Sequence, residues 1–370
     1  MRVTLDVSAV PAHIAGAGRY TTVLSERLPG ELELTLASRR DDGARWSKLS
    51  SARVMPIVPN NRIARLAYER WGLRSSSVYR ASEVWHGPHY TMPHGGTTPS
   101  VVTIHDLTFF TNPEWHEATK VAFFRRAIRY AAEHADVLVS VSTFTANVLR
   151  ELVPSSAPIV VAPHGVDTQR FNAHDDGDEQ QLRAANLPSD RPFVLFVGTV
   201  EPRKGLEVLL ASFVEVGASD AEVELWLAGQ AGWGTGAIEQ LIEEHPWVSR
   251  IRRLGYVDEG VLVALYRRAR AVAYPSRGEG FGLPVLEALA CGAPVVTSAG
   301  TVLEEVAGDA ALLTPVGDVV ALGEALQTLV ALSDGQRQVW AQRAIAQAAT
   351  FTWERSITQH LEAYHLAAGR

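Results

Sequence analysis

Short runs of Val, Ile, Leu and Phe that hardly alternate with polar residues recur along the chain. They fall at residues 3–7, 101–104, 137–141 and 159–162, and again at 193–197, 223–228, 271–274 and 294–297. Runs this short read as strands rather than helices, and a strand with no polar side has to be covered on both faces. Helical patterns separate them at 122–135, 143–152, 206–216 and 259–269. Strand, helix, strand in repetition gives an α/β fold of doubly wound parallel sheets. At 370 residues the chain is longer than one hydrophobic core usually serves, so two Rossmann-like domains are expected, with a cleft between them as the natural place for a site. The pattern breaks once, where Asp175-Asp176-Gly177-Asp178-Glu179 and Leu187-Pro188-Ser189-Asp190 leave little to bury. The expected division is therefore a first domain over 1–172, a linker over 173–190 and a second domain over 191–352.

Charge and cysteine content narrow the function. A formal charge of -7 argues against a nucleic-acid partner, which normally meets a basic domain. The single cysteine, Cys291, excludes an intrachain disulfide and a cysteine-rich metal site, and fits a reducing compartment. The first residues enter a strand-like run with no basic-then-apolar leader, and no window approaches the ~18 apolar residues of a spanning helix. A cytoplasmic protein is expected, with contact at the inner face of the membrane left open.

The most informative stretch is Gly278-Glu279-Gly280-Phe281-Gly282-Leu283-Pro284-Val285-Leu286-Glu287. It follows the strand at 271–274, and Pro284 stands where a helix tolerates proline best. The glycines let backbone approach a ligand closely, and the helix start adds a positive dipole end suited to phosphate. Glu279 in the loop and Glu287 about one turn into the helix can face one cleft, where carboxylates grip sugar hydroxyls in pairs. Alone, either glutamate would be an ordinary solvated charge; the glycine-rich setting favours function. A second site opens the C-terminal half at Gly198-Thr199-Val200-Glu201-Pro202-Arg203-Lys204-Gly205. Arg203 and Lys204 would stand at the C-terminal edge of a parallel sheet, the guanidinium offering a fork and the ammonium a point charge to a diphosphate. Without the preceding strand, the pair would read as a solvated basic turn.

Residues 198–205 together with 279–287 resemble the signature of glycosyltransferase family 4, which has a GT-B fold and a glutamate, seven residues, glutamate motif. The resemblance extends over nearly the whole chain. Ile104-His105-Asp106-Leu107 resembles the family's N-domain histidine loop, and Pro163-His164-Gly165-Val166-Asp167 its hinge-proximal turn. Ala290-Cys291-Gly292-Ala293-Pro294 resembles the strand entry after the motif helix. Phe351-Thr352-Trp353 resembles the point where a last helix, here 353–370, returns to complete the N-domain.

The resemblance implies a metal-independent, retaining glycosyltransferase that needs no cofactor. Arg203 and Lys204 would neutralise the departing diphosphate, Glu287 would hold the ribose and Glu279 a hydroxyl of the donor sugar. Gly198 would belong to the donor loop, and the backbone at Gly280, Phe281, Gly282 and Leu283 would support sugar and phosphate. His105 would contact the sugar near the reacting carbon. The acceptor would be a glycan, a lipid-linked sugar or a small molecule, served by the first domain.

Ile14-Ala15-Gly16-Ala17-Gly18-Arg19-Tyr20 resembles a loop of the branch many of whose members handle mannose, which points to GDP-mannose; UDP-sugars and dTDP-rhamnose stay open. Gly16 and Gly18 are candidate contacts to donor phosphate or acceptor, although Thr21 leaves the dinucleotide fingerprint incomplete. His86, His89 and His94 match no common metal spacing and are expected in a loop lining the acceptor side. Residues 62–74 read as an amphipathic helix with Ile63, Leu66, Tyr68 and Trp71 among four arginines. Such a helix could touch anionic lipid or acceptor, or pack on its own domain. The competing functions are a GT-B epimerase or phosphorylase, a nicotinamide-dependent oxidoreductase, and a non-catalytic nucleotide-sugar-binding protein. A phosphorylase would need a cofactor lysine that nothing marks, and epimerases generally lack the combination of Arg203-Lys204 with two glutamates. The oxidoreductase lacks its complete glycine fingerprint, and the binding protein leaves the charged set unexplained.

Overall fold

The computed structural model describes residues 1–11, 16–187, 191–232 and 235–369. Ile14 and Ala15 of the glycine loop and residues 188–190 of the expected linker lie outside the described residues. The chain divides into two compact units, Met1–Gly165 with Trp353–Arg370 and Val166–Thr352.

The first unit is a seven-stranded sheet made of β1 (Arg2–Asp6), β2 (Glu33–Arg39), β3 (Arg53–Val58), β4 (Val84–Gly87), β5 (Ser100–Ile104), β6 (Val137–Ser140) and β7 (Ile159–Val161). Its order is β3-β2-β1-β4-β5-β6-β7 and every pairing is parallel. Alternate residues go to opposite faces. Val101, Val137 and Val139 join one core with Leu5, Tyr20, Leu24, Trp353 and Tyr364, and Val102 and Leu138 join another with Ile128 and Leu149. Both faces are thus covered by helices, which is why Val, Leu and Ile stand on both faces of these strands. Each such buried side chain contributes about 1.5–3 kcal/mol. The helix Trp353–Ala367 packs on β5, β6 and β7 of this sheet.

The second unit is a six-stranded parallel sheet, β8 (Phe193–Val197), β9 (Glu224–Ala228), β10 (Ile251–Gly255), β11 (Ala271–Tyr274), β12 (Val295–Ser298) and β13 (Ala311–Thr314), in the order β10-β9-β8-β11-β12-β13. Strand order reverses direction between β1 and β4 in one sheet and between β8 and β11 in the other. In open α/β sheets the crevice beyond the carboxyl ends of such a strand pair is where ligands bind.

One expectation is corrected. Residues 173–190 are no free linker: the described part belongs to the second unit and carries the helix Asp178–Ala184, packed on Glu259–Arg268. The acidic run looked solvated, but Asp178 is buried against Arg267, whose Nη1 donates to Asp178 Oδ1 at 2.9 Å and whose Nε donates to Asn172 O at 2.6 Å. The segment 62–74 is helical throughout, as expected. It runs as an α-helix over Arg62–Ala67, widens to a π-helical turn over Tyr68–Gly72 and tightens to a 3-10 turn over Leu73–Ser75, with Ile63 and Trp71 exposed. Among the described residues no helix is long and apolar enough to cross a membrane.

Candidate functional site

The switch point of the second sheet is built from the loops that leave β8 and β11. After β8 the chain forms a tight turn over Pro202–Lys204, and Gly205 then adopts a φ of 68° before the helix Leu206–Ser219. Gly205 has to be glycine: a Cβ there would lie 2.1 Å from the carbonyl oxygen of Pro275. That close approach stitches the two loops together. Arg277 N donates to Arg203 O at 2.8 Å and Ser276 Oγ to the same oxygen at 3.1 Å.

The stitching brings Arg203, Lys204 and Glu279 into one cluster. Arg203 Nη1 donates to Glu279 Oε2 at 2.8 Å, and Arg203 Nε to Glu201 Oε2 at 3.0 Å. Glu279 Oε1 accepts from Lys204 Nζ at 2.5 Å, Ser276 Oγ at 2.7 Å and the hydroxyl of Tyr274 at 3.0 Å. Lys204 Nζ also donates to the Tyr274 hydroxyl at 2.7 Å. A carboxylate offers about two acceptor positions on each oxygen; protein donors saturate Oε1 of Glu279 and take one position on Oε2. The resemblance implies a donor-sugar hydroxyl as the partner of Glu279; in the structure it is the counter-ion of both cations. With Glu201 included, the cluster holds two positive and two negative groups.

Electrostatics follow from this geometry. Burial alone would raise the Glu279 carboxyl, but Lys204 and Arg203 more than offset it and hold it at about 2. Burial pulls Lys204 below the ordinary lysine value against the opposing pull of Glu279. Burial, with Glu279 adding, pushes the Tyr274 hydroxyl well above its usual range, so it stays a donor.

Glu287 lies on the helix Leu283–Ala290, where Tyr266 donates to its Oε2 at 3.3 Å. Tyr274 feels the field of both Glu287 and Glu279, so the two motif carboxylates share one neighbourhood. Gly282 caps the helix at a φ of 115°, where a Cβ would meet Leu303 Cδ2 at 2.5 Å. The Phe281 ring turns inward against Phe351, 5.7 Å between centroids, which leaves only backbone as its contribution to a ligand. Gly198 ends β8 with its N–H on Ala228 O at 2.9 Å. Tyr266, Tyr274, Ser276 and Glu201 were not singled out in the sequence; only the fold shows that their side chains complete the site.

In the first unit, His105 follows β5 and is buried, its Nε2 donating to Pro88 O at 2.7 Å. Burial pulls its pKa down, against that bond and Asp106, so it is a neutral imidazole with Nδ1 left as the acceptor. Tyr20, His89, Tyr90 and His164 surround it at ring distances of 5.1, 5.4, 5.7 and 6.1 Å. His86 is no loop residue: it sits within β4, wholly buried, with Nδ1 on the Tyr364 hydroxyl and Nε2 on Thr103 Oγ1, both at 2.8 Å. The prolines at 88 and 93 follow the strand rather than interrupt it. His89 meets Thr21 Oγ1 at 3.4 Å, and His94 stacks on Tyr130 at 4.0 Å. The three histidines thus serve three different partners. Gly16 caps the helix Ala17–Arg27 at a φ of 48°, whereas Gly18 is buried inside it, its carbonyl accepting from Thr22 Oγ1 at 2.9 Å.

Comparison with known proteins agrees with this architecture. The sequence model of Glycosyltransferase Family 4 matches residues 14–170, and that of Glycosyl transferases group 1 matches residues 178–347. The chain is 30% identical over 387 aligned residues to the O-antigen chain mannosyltransferase B of Escherichia coli, spanning 99% of this chain and 100% of that one. Among solved structures it superposes on sucrose-phosphate synthase from Thermosynechococcus elongatus with a TM-score of 0.80 at 23% identity, covering 100% of both chains. It matches Anabaena Alr3699/HepE in complex with UDP-glucose with a TM-score of 0.75 at 19% identity, again over 100% of both.

Proposed function

The chain belongs to glycosyltransferase family 4, with the GT-B fold, and from that premise we propose that it transfers mannose from GDP-mannose to a glycan or lipid-linked acceptor, retaining the anomeric configuration without a metal. The observation that carries the proposal is the Arg203–Lys204–Glu279 cluster at the switch point of the second sheet. Likeness to the mannosyltransferase of Escherichia coli and the Gly16–Tyr20 loop support mannose. A solved relative holding UDP-glucose supports the nucleotide-sugar class.

In the proposed reaction the donor diphosphate takes Arg203 and Lys204 from Glu279, which frees the carboxylate for a sugar hydroxyl. The bond between the anomeric carbon and the diphosphate oxygen breaks, its electron pair leaving with the diphosphate. The acceptor oxygen bonds to the same face of that carbon and its proton passes to the diphosphate. The two cations stabilise charge that develops on the leaving group, the largest contribution a protein of this design makes. Glu287 holds the ribose, and neutral His105 serves the sugar. Contact with an anionic membrane face is part of the proposal, supported by exposed Ile63 and Trp71 beside Arg70.

The test is a thermal-shift panel of GDP-mannose, UDP-glucose, UDP-N-acetylglucosamine and dTDP-rhamnose, with and without EDTA, followed by proton NMR of the product. Stabilisation by GDP-mannose that EDTA leaves intact, with an α-linked product, supports the proposal. A shift lost in EDTA overturns the metal-free part, an inverted product overturns retention, and a shift with another donor alone overturns mannose.

A further inference from the structure

The first unit contains a cavity of about 270 Å³ that neither the Arg203–Lys204–Glu279 cluster nor His105 lines. The segment after β3 supplies Glu69 and Arg70, the loop after β4 supplies Met92 and His94, and the helix Ala118–His134 supplies Phe123, Arg126 and Tyr130. Its polar groups have unused hydrogen-bonding capacity. His94 Nδ1 is buried with no partner. Among the described residues the Glu69 carboxylate meets only Arg65, at 3.9 Å. A buried group left unsatisfied in this way is costly, and a ligand with hydroxyls would satisfy it. Met92 and Phe123 give the cavity an apolar side.

A polar side of carboxylate, guanidinium and imidazole with an apolar side of thioether and phenyl matches the two sides of a pyranose, which carries hydroxyls at its rim and C–H groups on its faces. A purely apolar ligand would strip water from Glu69 and two arginines without replacing it. A small anion would use the arginines but leave the Glu69 carboxyl and the apolar side of Met92 and Phe123 unmatched. We infer that this cavity is the acceptor subsite and takes a neutral pyranose, the terminal sugar of the acceptor glycan. The inference rests on the transferase function proposed above and deepens it by naming the acceptor class and where it binds.

The experiment uses the full chain and methyl α-D-mannopyranoside as probe, followed by saturation-transfer NMR and by acceptor kinetics with GDP-mannose. The variants are Glu69→Gln, Arg126→Ala and the milder Thr91→Val; the thermal shift given by GDP reports that each is folded and that the donor site is intact. The expected result is saturation of the glycoside by the parent protein. Acceptor KM should rise about tenfold in Glu69→Gln and Arg126→Ala, as for a lost hydrogen bond to a charged group, with kcat and the GDP shift changed less than twofold. Glycoside binding and KM that are indifferent to all three variants, while GDP still binds, overturn the subsite and leave the donor assignment standing. Competition by inorganic phosphate that Arg126→Ala abolishes, without any glycoside saturation, overturns it in favour of an anion site. Absence of any shift with GDP or the donors is a failure of the transferase proposal instead, so the two failures are told apart.

Discussion

Glu279 decides what a substitution at the site can reveal, because its carboxylate neutralises the same cations that a diphosphate would need. Glu279→Gln keeps the shape but removes the charge, leaving Arg203 and Lys204 in positive excess. GDP should then bind about tenfold more tightly, since a competing charge-assisted pair is gone, while turnover falls because the amide cannot serve the sugar in the same way. Isothermal titration with GDP beside steady-state kinetics checks both signs; weaker GDP binding would show that the carboxylate is not a competitor. Arg203→Ala should act mainly on kcat, by about 10²–10³-fold, because the charge it meets develops in the transition state. Glu287→Ala should instead raise the donor KM and leave kcat nearly unchanged, as expected of a contact made equally before and during reaction. With Glu279 held at about 2 by its two cations in the free enzyme, its own titration should not appear above pH 5 in the profile of kcat/KM, which reports the free enzyme.

At the scale of elements, most inner strands and the edge strand β7 were legible in the sequence, whereas the edge strands β3, β10 and β13 and the inner strands β2 and β4 were not. β5, β6, β8 and β11 are continuous apolar runs, whereas β2, β3, β10 and β13 carry the mixed sequences Glu33–Arg39, Arg53–Val58, Ile251–Gly255 and Ala311–Thr314. Three of those four have a neighbour on one side only, so nothing forces both of their faces to be apolar. β4 escaped notice because His86 interrupts its apolar run; its bonds to Tyr364 and Thr103 come from elements far away in sequence. The donor loops were legible as glycine and charge spacing, but Tyr274 and Ser276 joined the site only once β8 and β11 lay side by side. The helix Asp178–Ala184 was missed for the same reason, since its anchor is 89 residues away. Arg267→Ala tests that anchor. It leaves Asp178 buried without its partner, a change that typically costs about 3–5 kcal/mol. The urea midpoint should fall accordingly, and Asp178→Asn in the same chain should recover part of the loss. An unchanged midpoint would mean that the helix is held by Leu182 and its apolar neighbours alone.

For the molecule as a whole, the buried imidazoles of the first unit tie stability to pH. His86, His105 and His164 are held below the ordinary histidine value by burial, and His89 and His360 are pulled down to about 3 and about 4 by the same cause. His360 shows what is at stake: Tyr20 meets its Nε2 at 2.6 Å, and its Nδ1 meets Ser356 O at 2.7 Å, so the neutral ring fastens the helix Trp353–Ala367 to the helix Ala17–Arg27. In the unfolded chain these rings take up protons as pH falls through about 6.5; in the folded protein they do not until far lower. The unfolded state therefore binds more protons below 6.5, and stability falls as pH drops from about 6.5 towards 4 and 3. Glu69 works in the opposite direction: burial, with Asp6 adding and Arg65 opposing, pushes its carboxyl up to about 7, so its contribution is lost as pH rises from about 4.5 to 7. The five histidines outnumber this carboxyl, Asp6 and Asp178, whose pKa values burial also raises, and the net slope follows them. Urea midpoints at pH 7.5, 6.5, 5.5 and 5 should decline steadily below 6.5, and His360→Gln, though less stable at pH 7.5, should decline less steeply. A midpoint that rises as pH falls over this range would mean that the buried carboxyls, not the imidazoles, dominate the proton balance of the fold.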